Sequence, residues 1–246
     1  MLIEAGADFN KAKDDGTTSL YEPARRGHEA VVRALIDANA DVDKALDDDM
    51  TPLLIAAKDG LEAMVRALIE AGADVNKPWV NGVTPLYMAA YYGHETVVWA
   101  LMELGADVNQ ANDYGTTPLY TAAEKGHEAI VRALIELGAE INKAMDDGAT
   151  PLLIAAQDGH EAIVRALIEL GADVNQAKDD GVTALYIAAE KGREAVVRAL
   201  IELGADVNKA TDKGWTPLAI AAQKGHTAIV QILRGAVLAQ MAHLSL

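Results

Sequence analysis

A seven-residue motif that returns at a fixed interval constrains this chain more than any other feature. Its fullest form, TPLYTAA, occupies residues 117–123. The first threonine of the motif recurs every 33 residues, as Thr18, Thr51, Thr84, Thr117, Thr150, Thr183 and Thr216. Proline follows it in every copy except those with Ser19 and Ala184. A period of this length indicates stacked supersecondary units, each packed on its neighbours, rather than one closed globule.

The motif and its period resemble those of the ankyrin-repeat family, whose signature joins a 33-residue period to the motif T-P-L-H-x-A. The resemblance extends over residues 13 to about 234 and includes Gly126-His127, Val131, Leu134, Gly138-Ala139 and Asn142. It implies an all-α repeat solenoid of stacked helix-turn-helix units joined by β-hairpin-like loops. We expect a single domain over residues 1–246. Its parts are a partial repeat at 1–12, complete repeats at 13–45, 46–78, 79–111, 112–144, 145–177 and 178–210, and a last repeat with a C-terminal cap at 211–246.

Each repeat carries the start and stop signals of two short helices. In the fourth repeat, Thr117 can cap the first helix, and Pro118 suits its first position because no N–H is needed there. Gly126 is placed to end this helix with a positive φ, and the second helix begins near Glu128. Its expected buried stripe is Ile130, Val131, Leu134 and Ile135. Glu–Arg pairs four residues apart recur on the second helices and are expected to be solvated stabilisers.

The two ends of the array depart from the pattern. Pro23 replaces the first alanine of the Ala-Ala pair, and Asn39 replaces the terminating glycine. We therefore predict that the first complete repeat is distorted and the least stable. At the N-terminus, either the chain is cut within a repeat or a half-repeat caps the array. At the C-terminus, we expect a short capping helix that includes Leu238, Met241, Ala242 and Leu246.

Composition excludes several classes of function. The formal charge is −16 and the pI about 4.7, whereas nucleic-acid binding and anionic membrane surfaces both require basic protein surface. Cysteine is absent, which excludes disulfides, zinc–thiolate sites and cysteine nucleophiles. With neither a secretory leader nor a span of sufficient length visible, we expect a cytoplasmic protein or an engineered soluble one.

Candidate chemical sites receive little support. His28, His94, His127, His160 and His226 occupy one recurring position. Helices stack roughly 10 Å apart, and metal ligands must lie within about 2 Å of zinc, so these histidines cannot share an ion. Adjacent aspartates such as those at 14–15 and 47–49 lack the alternating pattern of a calcium loop. We expect no enzyme, no metal and no cofactor.

Breaks in the repeat carry the functional information. The third complete repeat has Trp79, Val80 and Asn81 in its loop and Tyr91-Tyr92 at the end of its first helix, where other copies have charged or amide residues. By resemblance, loop tips and first helices line the concave side that holds a partner. The predicted partner-binding residues are Met50, Lys58, Asp59, Trp79, Asn81, Val83, Tyr91, Tyr92, Asn112, Tyr114, Thr116, Glu124 and Lys125. Tyr21, Tyr87, Tyr120 and Tyr186 recur at one position and are interpreted as structural.

These observations favour a non-enzymatic module that binds another protein, with basic residues around the partner's contact patch. Two other classes stay open: a stable scaffold without a dedicated partner, and weak self-association through the aromatic residues or through Trp99. The near-identity of the copies fits either consensus engineering or recent duplication, and the sequence does not name the partner.

Overall fold

Seven pairs of helices account for most of the residues that the computed structural model describes, which are 8–13, 17–46 and 49–243. The first helices of the pairs are α1 (Tyr21–Arg25), α3 (Pro52–Lys58), α5 (Pro85–Tyr92), α7 (Pro118–Lys125), α9 (Pro151–Asp158), α11 (Ala184–Lys191) and α13 (Pro217–Lys224). The second helices are α2 (Glu29–Asp37), α4 (Glu62–Glu70), α6 (Glu95–Glu103), α8 (Glu128–Glu136), α10 (Glu161–Glu169), α12 (Glu194–Glu202) and α14 (Thr227–His243).

The chain divides into two compact units, Met1–Pro118 and Leu119–Leu246. In the N-terminal unit, α3 packs against α1 and α5, and α4 packs against α2 and α6. In the C-terminal unit, α11 packs against α9 and α13, while α10 and α12 pack together. First helices therefore pack on first helices and second helices on second helices. This arrangement confirms the all-α fold of stacked helix pairs.

The loops between repeats are narrow turns rather than strands. Among the described residues, β pairing is limited to an isolated bridge between Ala177 and Thr183. Elsewhere single backbone hydrogen bonds close the loop, as where the Trp79 N–H donates to the Val83 carbonyl at 2.8 Å. The ends of each such loop are thus joined as in a β-hairpin, but without the series of inter-strand hydrogen bonds that a hairpin has.

Threonine caps fix where the first helices begin, as predicted. In five repeats the threonine hydroxyl accepts a hydrogen bond from the backbone N–H three residues later, at 3.1–3.2 Å. These threonines are Thr51, Thr84, Thr150, Thr183 and Thr216. At the other end of α5, Gly93 takes a φ of +83°, which a residue with a Cβ adopts only with strain.

The buried stripe of the second helices differs by one residue from the prediction. Ile130, Val131 and Leu134 are buried, but Ile135 is only half-buried and Ala133 is buried instead. At about 100° of rotation per residue, Ile135 and Ala133 lie at similar angles on opposite sides of the centre of Ile130, Val131 and Leu134, so helical spacing does not distinguish them. The apolar spacing alone had placed Ile135 too far inside.

Arginines on the second helices link neighbouring repeats. All five predicted Glu–Arg pairs form, with N–O distances of 2.8–3.0 Å. Arg66 also reaches Glu103 of the following repeat at 2.8 Å, and Arg165 likewise reaches Glu202 at 2.9 Å. The hydrogen bonds that Arg66 donates to Glu62 and Glu103 raise the pKa of Arg66 above its usual value. The sequence indicated the first contact of each arginine but not the second.

Pro23 shifts the start of α1. This helix begins at Tyr21. In the other repeats the first helix begins at the residue directly after the capping threonine, and that residue corresponds to Ser19 here. The shift puts Pro23 in the first turn, where its missing N–H leaves no hydrogen bond unmade. Within the described residues the buried Thr18 hydroxyl has no hydrogen-bond partner, so the cap is lost. The predicted distortion is present, while the predicted low stability stays a prediction.

The C-terminal residues do not form a separate capping helix. Instead α14 runs without a break from Thr227 to His243, and Leu238 is 68% exposed. The cause lies in the glycine spacing: the stop glycine of other repeats, such as Gly138, corresponds to Val237. Alanine, leucine and glutamine then continue the helix. Residues 1–7 of the expected partial repeat at 1–12 and the expected capping residue Leu246 lie outside the described residues.

Candidate functional site

Three tyrosines of α5 and one histidine form a continuous group of rings in the N-terminal unit. The Tyr87 and Tyr91 centroids lie 6.3 Å apart, with an interplanar angle of 21°. Tyr91 and Tyr92 meet edge to face at 4.9 Å, and Tyr92 stacks on His94 at 6.5 Å. We call these four residues the aromatic cluster. Tyr91 and Tyr92 were predicted site residues, whereas Tyr87 had been interpreted as structural only.

The local sequence positions these rings. Tyr87 and Tyr91 are four residues apart and therefore lie on one face of α5. The His94 ring is fixed from the preceding repeat, because its Nε2–H donates to the Lys58 carbonyl at 2.8 Å. A carbonyl can only accept a hydrogen bond, so this ring nitrogen carries the proton.

Two rings of the aromatic cluster are exposed, and a cation borders them, whereas Tyr87 and His94 are half-buried. Tyr92 is 45% exposed, and Tyr91 is also exposed. The Lys58 ammonium lies 5.9 Å from the centroid of the Tyr92 ring, within the range of a cation–π interaction. Asp59, the next residue, is exposed. Of the predicted residues, Lys58, Tyr91 and Tyr92 are thus brought into direct contact.

The predicted loop-tip residues form a second group in the same unit. The Asp113 N–H donates to the Asn81 carbonyl at 2.9 Å, which joins the tips of the third and fourth repeats. The Asn112 Oδ1 accepts hydrogen bonds from the Tyr114 and Thr116 N–H groups at 3.0 and 2.9 Å. This fixed turn leaves the Tyr114 side chain 60% exposed.

Trp79 sits at the base of its loop rather than at an exposed tip. It is half-buried and lines a cavity of about 670 Å³ that also contacts Leu46 and Val80. Asn81 adopts a positive φ of 58°, a conformation that asparagine tolerates better than most residues. The loop of the third repeat is therefore locally different, as its sequence indicated.

Two predicted contact residues are buried. Met50 is 5% exposed, and Thr116 is also buried. Both precede the capping threonine of a first helix, a position whose apolar side chain commonly packs back onto the first turn. Val83, at the equivalent position, is half-buried. We therefore remove Met50 and Thr116 from the candidate surface.

The remaining predicted pair belongs to the C-terminal unit. Glu124 and Lys125 lie at the end of α7, and their side chains form an ion pair at 3.0 Å. They occupy the positions that Tyr91 and Tyr92 hold one repeat earlier. Their role in binding stays a prediction.

A cavity in the C-terminal unit was missed by the sequence analysis. It encloses about 620 Å³ and is lined by Tyr186 and Glu190 of α11 and by loop residues that include Asp180 and Trp215. Trp215 is 38% exposed. It occupies the position of Met50 and Thr116, so the same search for breaks in the repeat would have found it.

The recurring histidines act as links between repeats. The Nε2–H groups of His160 and His226 donate to the carbonyls of Glu124 and Glu190, each at 3.0 Å. Arg193, which replaces the histidine in one repeat, donates from Nε to the Gln157 carbonyl at 2.9 Å. In the described part of the chain, no group of histidine, aspartate and glutamate side chains could hold a metal ion. The aspartates at 14–15 and 47–48 lie outside that part.

Comparison with protein families settles the relationship. A model described as ankyrin repeats (3 copies) matches overlapping windows at residues 1–78, 24–112, 76–145, 105–178, 142–211 and 171–240. This chain belongs to the ankyrin-repeat family. Ankyrin repeats generally act as protein–protein interaction modules, and their fold is typically non-enzymatic.

Solved structures agree with this assignment. The human ASB11 ankyrin repeat domain is similar over 87% of this chain and 97% of its own, with 28% identity and a TM-score of 0.79. Because 596 chains match, such likeness identifies the ankyrin fold and not a partner. A search of curated proteins found no match. None of the helices within the described ranges is both long and apolar enough to cross a membrane.

Proposed function

We propose that this ankyrin-repeat protein binds another protein through the aromatic cluster on α5 and the neighbouring loop tips of the N-terminal unit. The observation that carries the proposal is the exposed pair of rings of Tyr91 and Tyr92 beside Lys58, stacked on the half-buried ring of Tyr87. Aromatic side chains are enriched among the residues that dominate binding energy in interfaces. They supply large contact area and lose little conformational entropy.

Repetition strengthens this argument. At the positions of Tyr91 and Tyr92, the fourth, sixth and seventh repeats carry Glu124-Lys125, Glu190-Lys191 and Gln223-Lys224. A solvated helix end therefore needs no aromatic residue for folding in this array. Exposed apolar surface lowers solubility unless a partner covers it, so the tyrosines favour recognition over the scaffold alternative.

Charge favours a partner with basic residues around the contact. The chain carries a formal charge of −16, and Asp59 and Asp113 are exposed on the proposed surface. Complementary charge accelerates encounter more than it increases affinity. Lys58, next to the rings, is the local exception and would face an acidic or aromatic group of the partner.

Affinity capture from cell lysate tests the proposal. The bait proteins are the wild type, the Tyr91→Ala/Tyr92→Ala variant, and the control Gln223→Ala/Lys224→Ala, which changes the equivalent exposed positions of the seventh repeat. We expect a protein that the wild type and the control retain and the tyrosine variant loses. Equal retention by all three would contradict the assigned surface. Light scattering over a dilution series distinguishes self-association, which would appear as a concentration-dependent mass without lysate.

A further inference from the structure

The cavity beside Trp215 combines aromatic walls with carboxylates. Tyr186 projects from α11 and is half-buried, while Trp215 lies in the loop before α13. This loop is held closed, because the Thr211 N–H donates to the Trp215 carbonyl at 2.9 Å and the Trp215 N–H donates to the Thr211 Oγ1 at 3.2 Å. The two rings therefore stand on fixed backbone.

The charges around this cavity are mostly negative. Four carboxylates line it, those of Asp179, Asp180, Glu190 and Asp212, against the ammonium groups of Lys178 and Lys213. Lys178 is already engaged by Asp147 at 2.5 Å, so its charge is largely compensated from outside the cavity.

Glu190 makes only long ion pairs with its neighbours. Its oxygens contact Lys191 and Lys224 at 3.9 and 3.8 Å, near the limit of an ion pair, and both lysines are largely solvated. Burial raises the pKa of the Tyr186 phenol, and the negative charges of Glu190 and Asp180 raise it further. The carboxylates of Glu190 and Asp180 and the ring of Tyr186 thus border the same cavity and are close enough to interact electrostatically.

We propose that this cavity binds one arginine side chain presented by an extended segment of another protein. The guanidinium would lie against the Trp215 and Tyr186 rings and donate hydrogen bonds to the Glu190 carboxylate. Arginine fits better than lysine because its planar, weakly hydrated head stacks on aromatic rings and donates to a carboxylate in two parallel bonds. This site lies in the C-terminal unit and does not depend on the aromatic cluster of the N-terminal unit.

The array contains its own control for this site. Glu124 stands at the position of Glu190 two repeats earlier, but the residue equivalent to Trp215 is the buried Ala149. The carboxylate is therefore present there without its aromatic partner. Glu124→Gln removes the same charge from the chain and leaves the proposed cavity unchanged.

Heteronuclear NMR with short peptides tests the proposal. The probe is an acetylated and amidated tripeptide with arginine between two glycines, compared with peptides in which lysine or citrulline, a neutral analogue of the same shape, replaces arginine. With three tryptophans in the chain, the indole N–H region is simple, and Trp215→Phe assigns its signal by loss. We expect a saturable shift of the Trp215 indole signal with the arginine peptide, and about tenfold weaker binding of the citrulline peptide.

Single substitutions test whether the arginine peptide binds in the cavity beside Trp215. Glu190→Gln should weaken binding of the arginine peptide about tenfold, and Glu124→Gln should leave it unchanged. Asp180→Asn provides a second carboxylate variant, and unchanged signals elsewhere in the spectrum report an intact fold. No saturable shift up to about 10 mM arginine peptide, or equal binding of the citrulline peptide, would overturn the proposal. Equal losses from Glu190→Gln and Glu124→Gln would reduce it to general attraction by the acidic chain.

Discussion

The capping threonine is the residue that most directly converts sequence into structure in this chain. Its hydroxyl satisfies an N–H of the first helical turn in five repeats, and the following proline or alanine starts the helix. Thr18 has the same place in the sequence, yet its buried hydroxyl is unpaired within the described residues because Pro23 has moved the helix start. Threonines at the same position of the repeat thus contribute differently to helix capping, according to the residues that follow them.

Thr150→Ala should therefore cost more stability than Thr18→Ala. Loss of a threonine N-cap typically costs about 1 kcal/mol, whereas removing an unpaired buried hydroxyl costs little or stabilises. Urea denaturation of both variants and the wild type measures the difference. An equal loss in the two variants would show that the Thr18 hydroxyl is capped in solution.

A second prediction concerns the glycines that end helices. A Cβ on Gly138 would meet no atom within 4 Å, but a Cβ on Gly126 would lie 2.8 Å from the His160 ring. Both glycines have positive φ, so alanine costs about 1–2 kcal/mol at either position. Gly126→Ala should lower the free energy of unfolding more than Gly138→Ala does. This excess loss should vanish when Gly126→Ala is introduced into a His160→Ala background and compared with His160→Ala alone. An excess that persists without the ring would contradict the assigned clash.

Residue-level contacts also mark the limit of what sequence predicts. The caps of Thr51 and Thr84 follow from local spacing alone. The burial of Met50 does not, because a loop lacks the periodicity that separates inward from outward positions. The second contact of Arg66, with Glu103, joins two repeats and has no signal within either one. Tyr87 was interpreted as a recurring structural residue, and only the structure shows its stacking on Tyr91.

At the scale of elements, the two ends of the array show that one residue can move a helix boundary. Pro23 was predicted to distort α1, and it does so by delaying the helix start rather than by breaking the helix. Val237 stands where other repeats have their stop glycine, and α14 consequently extends to His243 instead of ending before a separate capping helix. Helix ends are set by single residues in both cases, which makes them sensitive to single substitutions.

Pro23→Ala should lengthen α1 and stabilise the first complete repeat. The helix could then begin two residues earlier, and the Thr18 hydroxyl would regain an N–H to cap, for a gain of about 1–2 kcal/mol. Hydrogen exchange should show greater protection of the amides around Leu20 to Arg25. Unchanged exchange in this segment would mean that Pro23 does not set the helix start. The equivalent first helix α11, remote in sequence, serves as the internal reference.

At the scale of the whole molecule, the near-identical repeats share one fold, and a few substitutions in single repeats create the candidate binding sites. The aromatic cluster of the third repeat and the cavity beside Trp215 both arise where one repeat differs from the others. The fold follows from what the copies share, and the candidate sites follow from what they do not share.

Association with the captured partner should depend on ionic strength. If the partner is basic around its contact, raising the salt concentration screens the attraction and lowers the association rate, while the dissociation rate changes less. Stopped-flow or surface-based kinetics at low and high salt measures both rates. An association rate that does not change with salt would contradict the proposal that the acidic surface accelerates binding of a basic partner.

Titration calorimetry of the captured partner tests the central claim most directly. The partner is titrated into the wild type, the Tyr91→Ala/Tyr92→Ala variant and the Gln223→Ala/Lys224→Ala control, each with an unchanged unfolding midpoint. The account predicts that the tyrosine variant loses at least 2 kcal/mol of binding free energy, about thirtyfold in affinity, as expected for a dominant contact. The control should bind like the wild type. Wild-type affinity in the tyrosine variant would contradict the assignment of α5 as the binding surface.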